Sequence, residues 1–125
     1  MPVAANCTAG AFGIGHAWNE HAGALGVVNI ALAGVWLSLA FFSLGGMALA
    51  WGIHFGWNLG LALFNAPVSG IAVGLAAGVY RPGPHAWIDG GAFGPEGGIV
   101  GTVCICAGIA SLVGRRFFEP RLWVT

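Results

Sequence analysis

Lysine is absent from this chain, and charge of either sign is scarce: Asp, Glu, Lys and Arg together make up 6% of 125 residues. A soluble domain carries about 25%, so there is too little polar side chain here to cover a water-facing surface. The scarcity is also uneven. Residues 21–80 contain no Asp, Glu, Lys or Arg, and neither do residues 97–114. A helix needs roughly 20 apolar residues to cross the hydrocarbon core. The first gap is therefore long enough for two crossings, and the second for one more. No basic cluster exists, and the net charge is zero, which argues against nucleic acid as a partner. A positively charged start, as in a secretory signal, is missing too. No serine lies in Gly-x-Ser-x-Gly. The glycine-rich run 90–98 ends without the Lys-Ser/Thr of a phosphate loop, so that reading is rejected.

What is present is apolar: 58% hydrophobic residues, a mean hydropathy of +0.85 and 23 glycines. The apolar runs are continuous, without period-two alternation, which favours helices over a membrane barrel. Small residues let helix backbones approach closely in lipid. The expected fold is all-α, a polytopic transmembrane bundle forming a single membrane domain over 1–125. It has three to four membrane helices plus a short or re-entrant one. An apolar element over 2–18 ends at Asn19-Glu20-His21. Crossings are expected over 25–44, over 47–64 after a Gly45-Gly46 break, and over 97–114. Pro67 opens a 13-residue helix to Tyr80, and residues 81–96 form a polar loop. Cys104 and Cys106 are read as small packing- or lipid-facing residues. Three of the four arginines follow residue 114, which puts the C-terminus in the cytoplasm by the positive-inside tendency.

Polar groups at membrane depth are costly, and each is a functional hypothesis. His54 and Asn58 are four residues apart and share a helix face, with Asn65 further along the same stripe. Phe12, His16 and Glu20 are spaced likewise. For each histidine alone the plain reading is a structural or interfacial group. Two from different helices, with an Asn beside one, suggest a shared site in which imidazole acts on a carbonyl. Haem ligation by His16 and His54 is a further reading of the same pair.

Phe12-Gly-Ile-Gly-His16, followed by His54-Phe-Gly-Trp-Asn58, then Pro67-Val68-Ser69-Gly70 and the 90–97 segment, resembles the CAAX protease and bacteriocin-processing family of intramembrane endopeptidases. The resemblance runs from about residue 8 to residue 114. It implies that His16, His54 and Asn58 are catalytic, orienting water and stabilising an oxyanion. It implies a peptide or prenylated-protein substrate, membrane lipid as surroundings, and the bacterial inner membrane as location. His16 and His54 would ligate a divalent metal only if the family's mechanism is metal-assisted. The family's Glu-Glu-x-x-x-Arg is missing, so the expectation is an inactive C-terminal portion of such a peptidase. Glu20, one turn from His16, is the candidate substitute base, and a non-catalytic membrane scaffold of the same fold is the alternative.

Overall fold

The computed structural model describes residues 3–43, 45–75 and 78–118. Their regular structure is entirely helical, with no strand among them. The helices are α1 (Val3–Gly15), α2 (Ala24–Phe41), α3 (Gly46–Leu63), a single turn α4 (Ala86–Asp89) and α5 (Ile99–Phe118), with two 3-10 turns, Gly91–Phe93 and Pro95–Gly97, before α5. Helix α2 is central and packs against α1, α3 and α5. Among the described residues it is the one helix long and apolar enough to cross a membrane, with a mean hydropathy of 2.0. Residues 99–115 form a shorter apolar helix.

Small residues set the α1–α2 spacing. A Cβ on Gly13 would lie 2.8 Å from the Ala31 Cβ, and one on Gly34 would lie 2.8 Å from the Ala9 Cα. Backbones this close gain dispersion contacts along the whole crossing. The far end of the bundle is closed by Leu39, Ala40 and Leu112, with Trp36, Ile53 and Ile109 packed around them. The reversal from α2 to α3 comes where the glycine pair was expected. Ser43 Oγ donates to the Ala40 carbonyl at 2.6 Å, and Gly46 takes φ +53°, which glycine adopts without steric cost.

The helix expected from Pro67 to Tyr80 is not formed. Val68 and Ile71 pair in an isolated bridge, and residues 72–75 and 78–80 are not helical. The reason is local. Ser69 and Gly70 take φ +49° and +84°, a left-handed pair through which a right-handed helix cannot propagate. Their amides are also used elsewhere: Ser69 N–H donates to Glu96 and Gly70 N–H to the Phe93 carbonyl at 2.9 Å. Residues 81–96, expected as a polar loop, are exposed as far as Ile88, and they fold α4 and the two 3-10 turns. Phe93 and Glu96 are both buried. Gly94, at φ +91°, rests on the Pro67 carbonyl, where any Cβ would collide.

Candidate functional site

Each segment brings its polar groups to one place for a separate reason. Helix α1 ends at Gly15, and His16 begins the turn that follows it. His16 Nδ1 lies 2.7 Å from the Phe12 carbonyl. A carbonyl only accepts, so Nδ1 carries the hydrogen, and Nε2 keeps its lone pair when the ring is neutral. The Phe12 ring sits between the two histidines, 4.6 Å from His16 and edge-on to His54 at 5.9 Å, centroid to centroid. His54 and Asn58 lie one turn apart on α3, and Trp57 between them in sequence meets Trp36 of α2 edge to face at 6.1 Å.

These groups line one cavity of about 120 Å³. His16, Asn19, His54, Asn58, Ser69 and Glu96 supply its polar lining, and Ile30, Trp36, Ile53, Trp57 and Ile105 much of its apolar wall. The volume admits several waters and the end of a peptide group, and is too small for a porphyrin. All three expected site residues, His16, His54 and Asn58, are therefore brought together. Asn65 is not: it is exposed, at φ +57° just past the end of α3, and lies outside the lining. Glu20 is exposed and likewise outside it, because α1 has already ended and its four-residue spacing from His16 no longer marks a helix face.

No family model, curated protein or solved structure matches this chain.

The residue that sequence reasoning missed is Glu96. It is 5% exposed and accepts three hydrogen bonds. Oε2 receives Ser69 N–H at 2.6 Å and Ser69 Oγ–H at 2.8 Å, and Oε1 receives the Trp57 indole N–H at 2.7 Å. Three converging donors require an acceptor-only group, and a carboxylate is one. Around it a polar network ties the whole molecule together. Asn29 Nδ2 of α2 donates to the carbonyls of Glu96 and Gly98 at 2.7 and 3.0 Å, and its Oδ1 accepts from Thr102 Oγ1 of α5 at 2.8 Å. Asn19 Nδ2 donates to the Ser69 carbonyl at 2.8 Å. The signal in the sequence was an acidic residue framed by Gly94 and Gly97, but a glycine frame reads as loop until its packing is known.

The donor set does not suit a metal. A catalytic divalent site typically takes three protein ligands, and among the described residues no three His, Cys, Asp or Glu side chains are placed to hold one. The one carboxylate in the lining accepts from Ser69 and Trp57. Outside the cavity, Tyr80 donates to the Asp89 carbonyl at 2.7 Å. Its phenol is raised above the ordinary value of 10.0, by burial first and then by the Asp89 charge.

Proposed function

We propose that this cavity is the peptide-carbonyl site of a membrane-embedded endopeptidase of the CAAX and bacteriocin-processing type. The observation that supports it is the meeting of His16, His54 and Asn58, from separate stretches of the chain, on one small cavity with apolar walls. In such surroundings a hydrogen bond to developing charge is worth more than in water. The Asn58 amide is a neutral donor suited to an oxyanion. The Nε2 atom of His16, oriented by the Phe12 carbonyl, is an acceptor suited to holding water. The site takes a peptide or a prenylated protein terminus, and no step runs through a metal.

The reading includes a polytopic bundle in the bacterial inner membrane, with the C-terminus cytoplasmic. Helix α2 supports it by length and apolarity. The outer faces of α3 and α5 support it by composition. Met47, Trp51 and Phe55 recur every fourth residue on α3 and are 71%, 66% and 51% exposed, and Val103 on α5 is 62% exposed. Exposed apolar stripes of this kind suit lipid rather than water.

A carbonyl site should bind a peptide aldehyde whether or not the chain turns substrate over. The test is binding of a prenylated peptide aldehyde to the detergent-solubilised protein, read by quenching of the cavity tryptophans. His54→Ala and Asn58→Ala are expected to weaken binding at least tenfold, and Asn65→Ala to leave it unchanged. Equal binding by all three variants and the wild type would reject the site.

A further inference from the structure

The run that leaves the Ser69–Gly70 turn is pinned at both ends. Ile71 exchanges both backbone hydrogen bonds with Val68, each at 2.9 Å. Further on, Leu75 N–H donates to the Ala62 carbonyl at 3.3 Å, in the last turn of α3. Neither turn nor bend interrupts residues 72–75. In an extended chain the polar groups of successive residues turn to opposite edges. Ile71 and Leu75 both turn theirs inward, so Val73 does as well, and Ala72 and Gly74 turn theirs outward. Among the described residues the amides and carbonyls of Ala72 and Gly74 meet no backbone partner, and residues 71–75 are all exposed. Ile71, Val73 and Leu75 are 58%, 47% and 56% exposed, an apolar edge of the kind on which another strand pairs.

This edge begins at the cavity. Val68, Ser69 and Ile71 line it together with His54 and Asn58, whereas Leu75 lies outside the lining. The start of the edge is held fast, since Ser69 N–H is bonded to Glu96 and Gly70 N–H to the Phe93 carbonyl. Resting on the peptide-carbonyl reading above, we infer that Ala72 and Gly74 form the substrate-binding edge, pairing with the stretch of peptide that precedes the scissile carbonyl. A peptide laid antiparallel to residues 71–75 runs from Leu75 towards Ile71 and delivers its next carbonyl to the cavity. In antiparallel pairing a residue exchanges both hydrogen bonds with the one opposite. Ala72 therefore takes the peptide residue nearer the cavity, and Gly74 the one two positions back. Strand addition of this kind fixes direction and register through the main chain.

The experiment compares two aldehydes on the detergent-solubilised full chain, read by tryptophan quenching. One is the prenylated amino aldehyde alone; the other carries about four further residues before it, the span of 71–75 at about 3.3 Å each. The longer form is expected to bind about tenfold tighter or more, from the hydrogen bonds it adds. N-methylation of its amides, one at a time, should remove most of that gain at alternate positions and little at those between. Ala72→Pro deletes an outward N–H and should weaken the longer form alone, whereas Val73→Pro, whose N–H turns inward, should spare it. Should Ala72→Pro fail to fold, shown by loss of the short form as well, the N-methyl series on the wild type still decides. Equal binding of the two lengths, or N-methyl effects without alternation, would overturn the inference. A wild type that binds neither form would instead overturn the carbonyl site, and this inference with it.

Discussion

Asn29 offers a sharp test of the fold, because it is fully buried and every side-chain polar atom has a partner. Asn29→Ala removes three hydrogen bonds, each worth about 1 kcal/mol net. It also orphans the buried Glu96 carbonyl, which costs a further 1–3 kcal/mol or so. The expected loss is therefore about 4–6 kcal/mol. Asn29→Asp is the more telling variant. Where the amide now donates to two carbonyls, an ionised Asp would aim an oxygen at them, so the folded state holds that acid protonated. Its folded pKa is then raised above the unfolded value of about 3.9. The unfolded state binds fewer protons above that value, and stability falls as pH rises. The slope is about 1.4 kcal/mol per pH unit, from about pH 4 up to the folded pKa. The assay is unfolding in detergent micelles from pH 4 to 8, reading the difference between variant and wild type at each pH, with Asn29→Ala as the control expected to show no such slope. A flat difference for Asn29→Asp, or an alanine variant within about 1 kcal/mol of wild type, would refute the network as the fastening of α2 to α5.

Two further predictions concern the surface and the loop. The lone tyrosine allows a clean titration: tyrosinate absorbance at 295 nm should have its midpoint above the ordinary 10.0, and Asp89→Asn, which removes the charge beside it, should lower that midpoint. Because the folded phenol is raised, its contribution to stability is complete below about pH 10 and is lost as pH climbs past that value. Cys104 and Cys106 are exposed on α5. If that face meets lipid, both should resist a water-soluble maleimide in intact vesicles and react fully once the protein is denatured in SDS. Rapid labelling of both in vesicles would refute the membrane placement of α5.

Helix positions were legible because uncharged length and glycine breaks act locally. Residues 47–64 were read within one residue of α3 at each end and 25–44 within one residue of the start of α2 and three of its end, and the Gly45-Gly46 reversal falls where composition placed it. The His54–Asn58 pair was legible for the same reason, since four-residue spacing on a continuous helix keeps two side chains on one face. The errors share one cause. Glu20 and Asn65 were placed by helical spacing past points where the helix stops. The run from Val68 reads as helix from its alanines, but Ser69 is held at positive φ by a carboxylate 27 residues away. No local property of 67–80 encodes that bond. Glu96 was passed over for the converse reason: its role depends on Trp57 and Ser69, which lie in other segments.

Glu96 is the buried acid whose presence most needs a physical account. Burying a carboxylate with no cation beside it is costly, and the three donors recover that cost only as a set. A glutamine there would satisfy some of them and oppose at least one, since its amide nitrogen would face an N–H or O–H. Structure alone therefore accounts for an acceptor-only side chain at this position. It also accounts for the place of that side chain on the cavity wall, since Trp57 and Ser69 both line the cavity and a group bonded to both must lie beside it. Facing the cavity is the less costly arrangement, because water there can donate to the lone pair that Trp57 leaves on Oε1.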